Sequence, residues 1–145
     1  MFVCGFYFVK SKAMEPFPLK KETYQIIGVC MEVQKTLGFG FSEAVYKDAM
    51  QLEFIDEAIL HTKETQLEVY YKGRLLQHKF FADFVCFESI IVEVKSCDSG
   101  IMNDHIAQTL NYLRVSGNLV GLIINFGKRR LEYKRLISSH AGALY

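Results

Sequence analysis

From Glu22 to Leu37 the apolar residues Ile26, Ile27, Cys30, Val33 and Leu37 recur at steps of three and four. That period places them on one stripe and predicts an amphipathic helix. Gly38-Phe39-Gly40 ends it, since glycine readily takes the left-handed conformation beyond a last turn. Ser42 then offers a hydroxyl to cap a second helix, running to about Leu60. Its apolar face reads as Val45, Ala49, Leu52, Ile55 and Ile59.

Beyond His61 the period drops from about 3.6 to 2, the signature of strands. Gln66 to Tyr71 alternates, Lys72-Gly73 makes a turn, and Arg74 to Phe87 reads as a long second strand. Ser89 to Lys95 is a third, with Ile90-Ile91-Val92 as a buried run. A helical pattern returns from Asn103 to Ser116, with Ile106, Leu110 and Leu113 facing inward. Leu119 to Phe126 is an apolar strand, and Leu131 to Ile137 a last strand at an edge. The order α-α-β-β-β-α-β-β predicts an α/β fold, a mixed, hairpin-rich sheet flanked by helices.

Length and composition narrow the class. At 145 residues, half of them hydrophobic, the chain has material for one core and is not disordered. It divides into an N-terminal arm over residues 1–21 and a single domain over 22–145. The stretch before Met14 reads either as a loose arm or as residues upstream of the native start. Met1 to Val9 is apolar but too short to span a bilayer and lacks a basic leader. Cys4, Cys30, Cys86 and Cys97 show no metal-knuckle or redox spacing and read as thiols in a reducing compartment. The reading is a soluble, cytoplasmic protein without a membrane partner; a homodimer is left open beside a monomer. A net charge of +1 excludes a global basic field that would draw the chain to nucleic acid, so such contact must be local.

The chemistry concentrates in Phe81-Ala82-Asp83-Phe84 and Ile91-Val92-Glu93-Val94-Lys95. Two strands each carry an acid into an otherwise apolar run. Glu93 and Lys95 share a parity and hence a face, with Val94 on the other. A carboxylate in a β-branched run needs a reason, because an unpaired buried charge is costly. One reading is a Glu93–Lys95 pair on a half-exposed face, of little energetic consequence. The other is a divalent-metal site. Asp83, Glu93 and the Val94 carbonyl would offer hard oxygens to Mg²⁺, while Lys95 orients water or offsets phosphate charge.

Asp83 followed by Glu93-Val94-Lys95 resembles the signature of the PD-(D/E)XK nuclease superfamily. Gly40-Phe41-Ser42-Glu43-Ala44-Val45-Tyr46 is similar to the pattern that names the GxxExxY family within it. His105 to Leu113 resembles that family's glutamine-bearing helix, and Gly121 to Gly127 its closing strand. The resemblance spans about Glu22 to Ile137 and departs at Ala82, where the signature has proline. It implies a restriction-endonuclease-like core. It implies catalytic roles for Glu43, Asp83, Glu93, Lys95 and Gln108, and Mg²⁺ or Mn²⁺ held by Asp83, Glu93 and Val94 with Glu43 joining them. The implied activity is metal-dependent hydrolysis of phosphodiester bonds in nucleic acid, DNA or RNA.

Plainer roles stand beside these. Glu43 in a first helical turn also suits the helix dipole. Tyr46 fits packing as well as function, Tyr112 fits the core, and Gln108 a supporting position four residues away on the same face. His105 suits solvent or a substrate phosphate. Lys128-Arg129-Arg130 with Lys134 and Arg135 suits a solvated turn or a phosphate-contacting patch. The Phe and Tyr residues read as core, without a base-stacking array. The rival functions are a catalytically weak nucleic-acid-binding or assembly module with this fold, and an enzyme acting on another phosphorylated substrate.

Overall fold

The computed structural model describes residues 17–138. Most of the arm expected over residues 1–21, together with Cys4, lies outside them, and Lys20 and Lys21 already belong to the first helix. The elements follow in the expected order: helix α1 (Lys20–Leu37), helix α2 (Glu43–Asp56), strands β1 (His61–Tyr71), β2 (Arg74–Cys86) and β3 (Ile90–Lys95), helix α3 (Asn103–Ser116), and strands β4 (Val120–Asn125) and β5 (Glu132–Ile137). One five-stranded sheet has the spatial order β1-β2-β3-β4-β5. Only β3 and β4 run parallel, joined by α3; the other neighbours are antiparallel.

Helices cover both faces of the sheet. On one, Ile26, Cys30 and Val33 of α1 and Tyr46, Met50 and Phe54 of α2 form a cluster with Phe84, Val92, Val94, Leu122, Ile124 and Phe126. On the other, Tyr112 and Leu113 of α3 pack with Leu67, Ala82 and Ile91. α3 lies so close that a Cβ on Gly121 would come within 2.9 Å of the Thr109 methyl group. With β3 central and covered on both sides, its Ile90–Val94 run is buried throughout, as a near-continuous apolar pattern requires.

Local expectations need correction. The buried stripe of α2 is Tyr46, Met50 and Phe54, whereas Val45, Leu52 and Ile55 of the expected face are exposed. The helix carries two apolar stripes, and the larger side chains take the core. It stops at Asp56 rather than near Leu60, because Ala58 adopts a left-handed φ of 54° and turns Ile59 inward. Ser42 occupies the cap position in extended conformation but makes no side-chain capping bond. In α3, Thr109, Tyr112 and Leu113 are buried while Leu110 is exposed. β1 begins at His61, earlier than the alternation suggested.

Nor are the aromatic residues all core. Tyr24, Phe39, Phe41, Tyr70, Tyr71 and Tyr133 are exposed, on outer helix and strand faces, the α1–α2 loop and the far end of the β1–β2 hairpin. Among the described residues no helix is long and apolar enough to cross a membrane.

The corrected face of α2 is testable. Phe54, fully buried against Phe84 with ring centroids 5.2 Å apart, should cost about 3–5 kcal/mol on truncation to alanine. Ile55→Ala, at a position 62% exposed, should change stability by less than about 0.5 kcal/mol. Urea unfolding of the two variants separates this face from the one expected, which would give Ile55→Ala the larger loss.

Candidate active site

The site forms where two strands part. β2 and β3 pair at Cys86↔Ile90, Val85↔Ile91 and Phe84↔Val92, and the pairing goes no further. Beyond it, backbone donors that a ladder would have used need other acceptors. Asp83 Oδ2 accepts the Val94 N–H at 2.7 Å, and Glu93 Oε2 accepts the Asp83 N–H at 2.8 Å. Each carboxylate thus reaches the backbone at the other's strand. The chain of β2 also turns over here: Ala82 packs in the α3 cluster and Phe84 in the α1–α2 cluster.

Glu93 is only 3% exposed, which rules out the surface-pair reading. Burial, then the charge of Asp83, pushes its pKa from 4.5 up to about 8. The Asp83 N–H and the ammonium groups of Lys95 and Lys47 pull it down by less. Lys95 Nζ donates to Gln108 Oε1 at 3.3 Å, tying the strand lysine to α3. Tyr112, one turn after Gln108, is buried, and its hydroxyl senses this centre. Burial and then the charges of Glu93 and Asp83 raise its pKa, against a hydrogen bond with Gln108.

Two participants were not anticipated. Lys47 of α2 donates to Asp83 Oδ1 at 3.0 Å and also pairs with Glu64 of β1. Burial disfavours its ammonium, but the bonds to Glu64 and Asp83 and their charges outweigh that and raise its pKa. Lys47 stands four residues after Glu43, a spacing that puts both on one helix face. That spacing was the available signal for Lys47. Glu64 precedes the alternation that marked β1, so no pattern pointed to it.

Glu43 opens α2 and is exposed, and the loop before it is fixed to the site. Ser96 Oγ, next after Lys95, donates to the Phe41 carbonyl at 2.5 Å. Tyr46 donates its hydroxyl proton to the Gly38 carbonyl at 2.7 Å and accepts the Phe41 N–H at 3.3 Å. Its ring stacks on Phe126 at 4.2 Å, so Tyr46 is both packing and the brace of the loop leading to Glu43.

The segment after β3 is clasped from β4. Asn125, fully buried, accepts the N–H groups of Cys97 and Gly127 and donates to the Cys97 carbonyl and Glu132. A Cβ on Gly127 would lie 2.3 Å from the Cys97 backbone, so only glycine admits this approach. His105 Nδ1 accepts the Met102 N–H and so caps the start of α3. Lys128, Arg129 and Arg130 are exposed in the β4–β5 turn, at the end of the sheet where Lys95 pairs with Asn125.

Asp83 therefore meets both Glu93 and Lys47 directly, and Lys95 joins them through its charge on Glu93 and its bond to Gln108. Among the described residues no three His, Cys, Asp or Glu side chains gather into a group that could hold a metal ion by themselves. Two carboxylates nonetheless suit Mg²⁺, which binds through one or two of them and keeps waters. A divalent cation there would also offset the Asp83–Glu93 repulsion.

A family model of the PD-(D/E)XK nuclease superfamily matches residues 20–136. No curated protein matches. Among solved structures, the crystal structure of SSO0001 is similar with a TM-score of 0.52 and 19% identity. The likeness covers 66% of this chain and 49% of that one, so this chain spans about half its length. At that identity the likeness shows the fold alone. With the family match running from α1 into β5, the chain belongs to the PD-(D/E)XK nuclease superfamily.

Proposed function

We propose that this chain is a divalent-metal-dependent nuclease that hydrolyses phosphodiester bonds in nucleic acid. The observation that carries the reading is the Asp83–Glu93 pair at the strand split, with Lys95 on the same strand. Nucleases of the superfamily generally use divalent metal ions. Asp83, Glu93 and the Val94 carbonyl would hold Mg²⁺ or Mn²⁺, with Glu43 contributing through a water. The bound ion supplies an activated water and a counter-charge for the phosphate. Lys95, steadied by Gln108, orients the water and stabilises charge developing on the phosphoryl oxygens. The exposed Lys128-Arg129-Arg130 turn supplies a local basic patch for the backbone of the substrate. The finer placement among GxxExxY proteins rests on Gly40, Glu43 and Tyr46 and is part of this proposal.

One observation favours a second reading, a binding or assembly module with little turnover: Lys47 already engages Asp83 Oδ1. Lys95→Ala distinguishes the two. Under the nuclease reading, cleavage of a labelled nucleic-acid panel with Mn²⁺ falls by about 10²–10⁴-fold. Metal affinity does not fall, because an ammonium cannot ligate a cation. Cutting by the variant at the parent rate makes Lys95 structural; no cutting by the parent favours the binding module.

The electrostatics give a second test. Between pH 4.5 and about 8 the folded protein holds a proton on Glu93 that the unfolded chain has released. The native state then binds more protons, so stability in chelator falls as pH rises through that window. Glu93→Gln removes the slope. At about 1.4 kcal/mol per pKa unit, it should melt above the parent in chelator at the alkaline end. Excess Mg²⁺ or Mn²⁺ should raise the parent's melting temperature and flatten its pH dependence, and should do much less for the variant. Thermal melts across pH, with chelator and with metal, check this; a parent curve indifferent to both metals would remove the metal site.

A further inference from the structure

The Lys47–Glu64 pair has no part in the proposed reaction, yet it sits on the acid that would take the cation. β1 pairs with β2 at Lys63↔Phe84 and Thr65↔Ala82, which places Glu64 opposite Asp83 at a position missing from the ladder. Glu64 there has a φ of 52°, a left-handed conformation that side chains other than glycine seldom adopt. Such distortions re-aim a side chain and gather beside functional sites. In this case the carboxylate meets Lys47, whose ammonium spans Glu64 and Asp83 at once. The side chains of Lys47 and Asp83 are 15% and 17% exposed, that of Glu64 51%.

An ammonium on Asp83 Oδ1 sets a positive charge beside the place a divalent cation would take, so the two compete for that oxygen. Lys47, largely buried, cannot give up a carboxylate without another, because an unpaired charge there is costly. Glu64 is that other acceptor, already in contact and facing solvent. We propose that Lys47 and Glu64 are positioning residues that set the cation affinity of the site. Lys47 steadies Asp83 until a divalent cation takes its oxygen, and Glu64 then retains the ammonium. This rests on the metal-site reading above. It differs from a bracing role, in which Lys47 would affect folding alone.

The two substitutions then act in opposite directions. Calorimetric titration of Mn²⁺ into the full chain should show tighter binding by Lys47→Met, by about tenfold, since a competing charge is gone. Glu64→Gln should weaken binding several-fold, because Lys47 then keeps Asp83. In the Lys47→Met background, Glu64→Gln should change nothing further, since Glu64 acts only through the lysine. Equal affinities in all four proteins, with a lower melting temperature for Lys47→Met, would make the pair a structural brace and overturn the proposal. Equal loss from Glu64→Gln in both backgrounds would also overturn it, by assigning the effect to bulk charge. If Lys47→Met does not fold, Glu64→Gln against the parent decides: weaker binding supports the proposal and unchanged binding overturns it. A parent that binds no Mn²⁺ at all overturns the metal-site reading and this inference together, an outcome distinct from four equal affinities.

Discussion

Everything at the site follows from the end of a ladder. Where β2 and β3 separate past Phe84 and Val92, the backbone N–H groups of Asp83 and Val94 lose the partners that a continuing sheet would supply. Two acids answer them, and in doing so are held close together with Glu93 almost out of water. The hydrogen bonds that satisfy the backbone thereby create an electrostatic conflict. The surrounding cations, Lys47 on Asp83 and Lys95 near Glu93, are arranged around that conflict.

The helices fix those cations from opposite faces. α2 packs through Tyr46, Met50 and Phe54 and presents Lys47, while α3 packs through Tyr112 and Leu113 and presents Gln108 to Lys95. The same residues therefore build the core and aim the polar groups. Tyr46 shows this most directly, since one side chain stacks on Phe126 and ties together both ends of the α1–α2 loop.

Much of this was legible in the sequence. The order of elements follows from changes of hydrophobic period, and Glu93 was conspicuous because a central strand has no other reason to carry an acid. Asp83 and Lys95 followed from the family signature and from strand parity. The buried face of α2 was not legible, because the helix bears apolar residues on two stripes and only tertiary packing chooses between them. Glu64 was hidden for a different reason. Its position is set by an irregular backbone conformation, and an exposed acid in a polar stretch carries no periodic mark. Lys47 depended on Glu64 and on the bend at Asp83, both long-range features.

The clasp of Asn125 on Cys97 and Gly127 separates two duties that are usually entangled. The end of β4 holds the chain at Cys97, just beyond Lys95, so the residues after Cys97 have less bearing on how that lysine is offered. Asp98 and Ser99, exposed at the tip of the connection, are therefore positions where inherited variation can accumulate. A lineage could alter what such a surface meets while the backbone beside Lys95 keeps its course.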